Sequence, residues 1–329
     1  MIDRRHLLAG AFASVAGAAA GQTPPPGRDG ARVSGLPEPL ETIDLWPRGA
    51  PGMPAESPVE VVDERSTDPN LTDRSVRGIV RPRLVVFRPA IPNGSAVLVM
   101  PGGGYRLVVI DKEGYEVARW LAARGYTVFV LFYRLPGDGW RAGPNVALSD
   151  AQRAIRLIRA RARNYGIQPE RVAALGFSAG GHVCGDLATR FAVRTYDPVD
   201  AADRLSARPH AAAPIYAVSS MTLPMAHAGS RSLLLGADPT PALERAHSTA
   251  ANVGKDTPPC FLVHAEDDAA VDVGNTLEFR GACKAAGVLV DTHLFTHGGH
   301  GFGLRLAQGR PVAVWPELFH AWARTQGLG

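Results

Sequence analysis

Residues 171–182 read RVAALGFSAGGH, an apolar run that ends in Gly176-Phe177-Ser178-Ala179-Gly180. A G-x-S-x-G pentapeptide between a strand and a helix can raise a serine on a strained turn, so that its Oγ stands free at a sheet edge. The glycines two before and two after the serine are needed because no side chain fits there. The helix behind the turn offers unpaired N–H groups and a positive dipole end. A serine alone is a poor nucleophile: it needs a base within hydrogen-bond reach and a carboxylate to orient that base.

In such an arrangement an acid and then a histidine follow the serine along the chain. The stretch CFLVHAEDDAAVD supplies Glu266, Asp267 and Asp268 at the end of an apolar run. Asp268 is favoured over Asp267 by its D-x-x-V spacing to Val271. The stretch HLFTHGGHGFG supplies His293, His297 and His300. His293 falls within a strand pattern and His297 opens the loop, whereas glycines bracket His300 and let the loop carry it toward a serine. His300 is therefore the expected base. A metal site built from these histidines is disfavoured, since no H-E-x-x-H and no completing carboxylate spacing accompanies them. His210, His227 and His247 read as loop or core groups.

A second feature is AVLVMPGGGYRL at residues 96–107. Three glycines after a strand bring backbone close to a ligand or a developing charge. A dinucleotide fingerprint counted from Gly102 fails at Leu107, and no P-loop lysine follows. The remaining reading is an oxyanion hole, in which the N–H groups of Gly103, Gly104 and Ala179 hold the oxygen of a tetrahedral intermediate. Tyr105 would wall the acyl pocket or hydrogen-bond a substrate.

These residues need a scaffold. Strands are expected at Leu84–Phe87, Ala96–Met100, Thr127–Phe132, Val172–Phe177, Ala212–Tyr216, Phe261–His264 and Leu289–Phe295, the later ones apolar enough to be covered on both faces. A helix over Tyr115–Arg124 turns Val117, Trp120 and Leu121 inward. Another starts at a Ser149/Gln152 capping box and stops near Gly166, with Arg153, Arg156, Arg159 and Arg163 on its wet face. This alternation predicts an α/β fold with a mostly parallel central sheet flanked by helices. Residues 217–259 break the rhythm and suggest a small lid. Residues 21–58 are rich in Pro and Gly and read as a linker leading into an irregular entry with no core of its own. No internal repeat is visible.

The chain has 329 residues, enough for one large α/β domain, and a net charge of +4. That charge is too small for a nucleic-acid footprint, and no basic stripe with interleaved aromatics is present. Only three of the 35 basic side chains are lysines, Lys112, Lys255 and Lys284. Cys184, Cys260 and Cys283 are too few and scattered for a disulfide framework or metal site. Residues 1–20, MIDRRHLLAGAFASVAGAAA, have the layout of a signal peptide with a twin-arginine pair at Arg4-Arg5. No later stretch is apolar over the length needed to cross a membrane. The expected division is a signal peptide at 1–20, a flexible linker at 21–40 and a catalytic domain at 41–329, with periplasmic or secreted localisation.

With LWPRGAPG, MPGGGY followed by DKEG, YRLP, DAQRAIR, GFSAGGH, YDPVDAADRLSARP, HAEDD and GGHGFG in place, the sequence resembles the α/β-hydrolase superfamily. Within it, the chain looks like the esterase branch that contains acetylxylan and feruloyl-acetyl esterases, a branch often labelled xylanase-like in bacteria. The resemblance runs from about Leu45 to Gly303, nearly the whole chain after the signal. It implies the α/β-hydrolase fold, a Ser178–Asp268–His300 triad, small-molecule or oligosaccharide ester substrates, no cofactor and no metal. Pro101 stands where lipase-like relatives place a histidine before the three glycines, which leaves the backbone donors as the elements carried over. The expected activity is hydrolysis of short acyl, chiefly acetyl, esters of sugar or hemicellulose by an exported enzyme. The alternatives are a general short-chain aryl or alkyl esterase, a peptidase of the prolyl-oligopeptidase kind, and a non-catalytic binding protein. The peptidase is disfavoured because only about forty residues precede the core, too few for a propeller.

Overall fold

The computed structural model describes Pro39 and residues 41–329. The expected signal peptide, and all of the linker but Pro39, lie outside the described residues. The chain enters through β1 (Glu41–Asp44), β2 (Val61–Glu64), β3 (Arg74–Arg77) and β4 (Arg83–Phe87). Next come β5 (Ala96–Met100), β6 (Val108–Val109), a π turn at Asp111–Tyr115 and α1 (Glu116–Ala122). β7 (Thr127–Phe132), α2 (Val146–Ala160), β8 (Val172–Phe177) and α3 (Ser178–Arg190) then alternate. β9 (Ala212–Ile215) is followed by α4 (Ala228–Leu235) and α5 (Pro241–His247), and β10 (Cys260–Ala265), α6 (Gly274–Ala285), β11 (Val290–Phe295) and α7 (Trp315–Thr325) close the fold.

Eight strands form one sheet in the order β1-β4-β7-β5-β8-β9-β10-β11, in which β4 alone runs against its neighbours. Every residue of β5, β7, β8 and β10 is buried, as a strand covered by helices on both faces requires. α2 packs on α3 on one face, while Arg124 and Glu317 tie α1 to α7 on the other. From β5 the chain moves to β7 on one side, and from β8 it moves to β9 on the other. The loops leaving these two adjacent strands therefore part, and the crevice between them is where such sheets bind ligands. The loop after β5 carries the three glycines, and the turn after β8 carries Ser178.

The strands fall within a residue or two of their expected ends, but three other expectations change. Ser149 does not cap α2, which begins a turn earlier at Val146; its Oγ donates instead to the Asn145 carbonyl, four residues back. Arg153 is not on the wet face: it is wholly buried, chelated by Asp200 and Asp203, and its Nε donates to the Leu45 carbonyl. The strand expected at Leu289–Phe295, β11, is an edge strand whose residues are half-buried or exposed, and it is not covered on both faces. The entry segment is also more ordered than its composition suggests. It supplies β1, and Leu45 and Trp46 sit in the main core, where the Trp46 indole donates to Asp150 at 2.7 Å. The same Asp150 takes the buried Arg134 guanidinium at 2.7 Å.

Candidate active site

The elbow is built from backbone against backbone. Ser178 has φ 53°, a left-handed conformation that a non-glycine residue holds only at a cost. A Cβ on Gly176 would lie 2.2 Å from the Gly180 carbonyl oxygen, and one on Gly180 would lie 2.1 Å from that of Met100. The two glycines thus let the turn close on itself and let α3 start against the end of β5. Ser178 Oγ lies 2.8 Å from His300 Nε2, and His300 Nδ1 lies 2.7 Å from Asp268 Oδ2. A carboxylate can only accept, so Nδ1 carries the proton and Nε2 is left to accept from the serine hydroxyl.

Asp268 Oδ1 takes the N–H groups of Ala270 and Val271, both at 2.9 Å. Burial alone would raise its carboxyl, but hydrogen bonds from His264, His300 and the Val271 amide more than offset this and hold it well below the usual range. Asp267 has a different task. Its Oδ1 accepts from the Gly298 and Gly299 amides at 2.8 and 2.7 Å, clipping down the loop that carries His300. Glu266 is exposed. His297 points to solvent beside Asp267, and His293 stacks on Phe261 within β11. Among the described residues, no three His, Cys, Asp or Glu side chains gather as metal ligands.

The glycine loop meets the elbow directly. The Gly102 amide donates to Glu113 Oε2 at 2.8 Å, which turns the chain so that Gly103 and Gly104 follow with φ 135° and 64°. The N–H groups of Gly103, Gly104 and Ala179 have no acceptor among the described residues. Pro101, at the position of the departure noted in the sequence, has its carbonyl held by the Tyr133 hydroxyl at 2.8 Å. Tyr105 does not meet the expectation of a pocket wall or sugar contact. It is 2% exposed, and its hydroxyl is committed to His182 Nδ1 at 2.6 Å. His182 Nε2 faces the His247 carbonyl and so bears the proton, leaving Nδ1 to accept from the tyrosine.

Several groups escaped the sequence reading. Glu113, inside the DKEG run, is buried and takes the Tyr216 hydroxyl at 3.0 Å as well as the Gly102 amide. The same hydroxyl accepts the Gly303 amide at 3.2 Å, and the Tyr216 ring lies 5.2 Å from that of His300. Glu113 and Tyr216 therefore link the glycine loop to the loop of the base. His227 caps α4 by accepting the Ser230 amide and hydroxyl on Nδ1. Ser230 in turn sits over Gly104, and α4 leans on the 3-10 turns after β7, so the 217–259 segment reaches the mouth of the site. No local signal reveals such partners, which lie up to 103 residues apart. A cavity of about 550 Å³ between β1, β4 and the small sheet β2-β3-β6 is lined by Glu41, Arg74, Arg83 and Tyr115, and none of the Ser178 cluster borders it.

Residues 88–282 match the BD-FAE family. The acetylxylan esterase of Xylanibacter ruminicola is 32% identical over 226 residues, covering 67% of this chain and 44% of that protein. Endo-1,4-beta-xylanase B of Butyrivibrio fibrisolvens is 37% identical over 230 residues, covering 69% of this chain and 34% of that one. The chain thus spans less than half the length of either. Among solved structures, an acetyl ester-xyloside bifunctional hydrolase from Caldicellulosiruptor lactoaceticus superposes with a TM-score of 0.72 at 33% identity, covering 90% of this chain and 100% of that one.

Proposed function

The chain belongs to the BD-FAE family and has the α/β-hydrolase fold, and from that premise we propose that it is a serine carboxylesterase that removes acetyl groups from sugar or hemicellulose fragments. The observation that carries this reading is the line Ser178 Oγ–His300 Nε2, His300 Nδ1–Asp268, set beside the three unpaired amides. In the first half-reaction Ser178 Oγ attacks the ester carbonyl while His300 Nε2 takes its proton. The oxyanion is held by the amides of Gly103, Gly104 and Ala179, fixed donors that need no reorganisation. His300 returns the proton to the departing sugar hydroxyl. Water, activated by the same nitrogen, then releases acetate. Asp268 stays ionised and orients the imidazole. The choice of acetylated sugars is supported by the names of the related esterase and bifunctional hydrolase, and export by residues 1–20.

The test is acetate release from acetylated xylo-oligosaccharides, run beside aryl acetates and feruloyl sugars. Ser178→Ala is expected to abolish release while remaining folded. Cleavage of a peptide amide with no ester turnover would overturn the reading. For export, replacing Arg4 and Arg5 by lysines should leave the protein in the cytoplasm of a bacterial host, and unchanged fractionation would count against it.

A further inference from the structure

We propose that His264 is a positioning residue for this reaction, holding Asp268 through its Nε2–H so that the carboxylate presents a fixed oxygen to His300. His264 stands on β10 and is wholly buried. Its Nε2 lies 3.2 Å from Asp268 Oδ2 and 3.0 Å from the Val271 carbonyl oxygen. The carbonyl can only accept, so Nε2 bears the proton and shares it between the two oxygens. Its Nδ1 lies 2.7 Å from Thr276 Oγ1, within hydrogen-bond distance, at a site 2% exposed. The ring is thus held at both ends, with an Nε2–H aimed at Asp268 and Nδ1 bonded to Thr276.

The arrangement divides the carboxylate into two halves. Oδ1 is fixed by amides of its own turn, while Oδ2, the oxygen that meets His300, is fixed from behind by His264. Among the described residues, His264 and His300 are the two side chains bonded to Asp268. Without His264, Oδ2 would keep His300 as its one partner, and the pair could rock together relative to Ser178. The donor also draws charge from Oδ2 and so weakens the pull of the carboxylate on a protonated His300. Beside the adjoining Glu266 and Asp267, which are exposed, Tyr216 after β9 and His227 at the start of α4 also feel the charge of Asp268. Burial pushes the Tyr216 hydroxyl well up, and burial with the nearby His300 pushes His227 down, so both favour their neutral forms.

The inference rests on reading Ser178, His300 and Asp268 as the reacting group. If that reading fails, the wild-type protein itself releases no acetate; if this inference alone fails, wild-type turnover stands. His264→Met removes the donor and keeps an apolar side chain, whereas His264→Gln keeps an N–H near the place of Nε2. For His264→Met, kcat is expected to fall about 10- to 100-fold with KM within about twofold. The acid limb of its kcat/KM profile should move to higher pH, because a carboxylate with one donor fewer favours the protonated imidazole. His264→Gln should recover to within about threefold of wild type. The downfield proton resonance of the His300–Asp268 bond should move in His264→Met and return in His264→Gln. A folded His264→Met with wild-type kcat and pH profile overturns the proposal, as does a His264→Gln no faster than it. If His264→Met does not fold, Thr276→Val removes the bond that holds the ring at Nδ1 while leaving both histidines, and a shift of the acid limb in the same direction is expected; an unchanged profile there overturns the proposal too.

Discussion

A single methyl group at Gly102 tests how closely the glycine loop must approach the serine. Gly102 is buried, and its φ lies outside the left-handed region, so Gly102→Ala adds contacts without backbone strain. The new Cβ would lie 2.7 Å from the Phe177 carbonyl oxygen, 2.8 Å from Glu113 Oε2 and 2.9 Å from Ser178 Cβ. Ordinary contact starts near 3.4 Å, so each approach is short by about 0.5–0.7 Å. Two of these neighbours belong to the elbow and one to the carboxylate that anchors the loop, so the loop must retreat and take the Gly103 and Gly104 amides with it. A misplacement near 1 Å costs roughly 10²-fold, and loss of one oxyanion donor costs about 10²–10³-fold in kcat. We therefore expect Gly102→Ala to lower kcat about 10²-fold on an aryl acetate while KM stays near wild type, because the lost interaction forms in the transition state. Gly254→Ala, where the Cβ meets nothing within 4 Å, is the control and should match wild type. Wild-type kcat in Gly102→Ala, or a rise in KM with kcat preserved, would refute the oxyanion argument.

Other expectations follow from the scaffold. Asp150→Ala strands the buried Arg134 guanidinium and the Trp46 indole, and urea titration should show a loss of about 3–5 kcal/mol; a loss below about 1 kcal/mol would deny the pair that role. His247 is pushed down to about 3, first by burial and then by Arg190 and His182. Its folded value lies below its unfolded one, so its contribution is present above about 6.5 and is lost as pH falls toward the folded value, by about 2 kcal/mol between pH 7 and 5. His247→Asn should flatten that slope, and an equally steep slope in the variant would exclude His247 as its source. Gly281 lies inside α6 with open space where a Cβ would go, so Gly281→Ala should raise stability by about 0.5–1 kcal/mol. A lowered Tm would show an unnoticed contact.

What the chain revealed on reading was whatever its local spacing encodes. Ser178 and its glycines form one turn, and Asp268 and His300 each follow an apolar run, so strand ends and loops could be read directly. Roles that depend on distant partners could not. Ser149 and Gln152 have capping-box spacing, but Gln152 donates to the Val193 carbonyl and accepts from Thr195, tying α2 to the loop after α3. Arg153 looks like a solvent-facing arginine until Asp200 and Asp203, some fifty residues on, enclose it. Tyr105 follows the glycines at the place where a substrate contact is expected, yet its left-handed backbone, φ 61°, turns it inward to His182. The small sheet β2-β3-β6 escaped because each of its strands is four residues or fewer and two are half exposed or more in places.

The edge position of β11 bears on how the protein would fail under heat. The nucleophile and the amides rest on the innermost strands, but the base hangs from the rim of the sheet, on a strand with one neighbour, β10, and a loop clipped by the exposed Asp267. Fraying at that margin would remove the proton acceptor while the interior stayed intact. Heating should therefore extinguish turnover several degrees before circular dichroism reports collapse, and cooling from that interval should restore it fully. Coincident loss of both signals would mean that the rim and the interior melt as one unit.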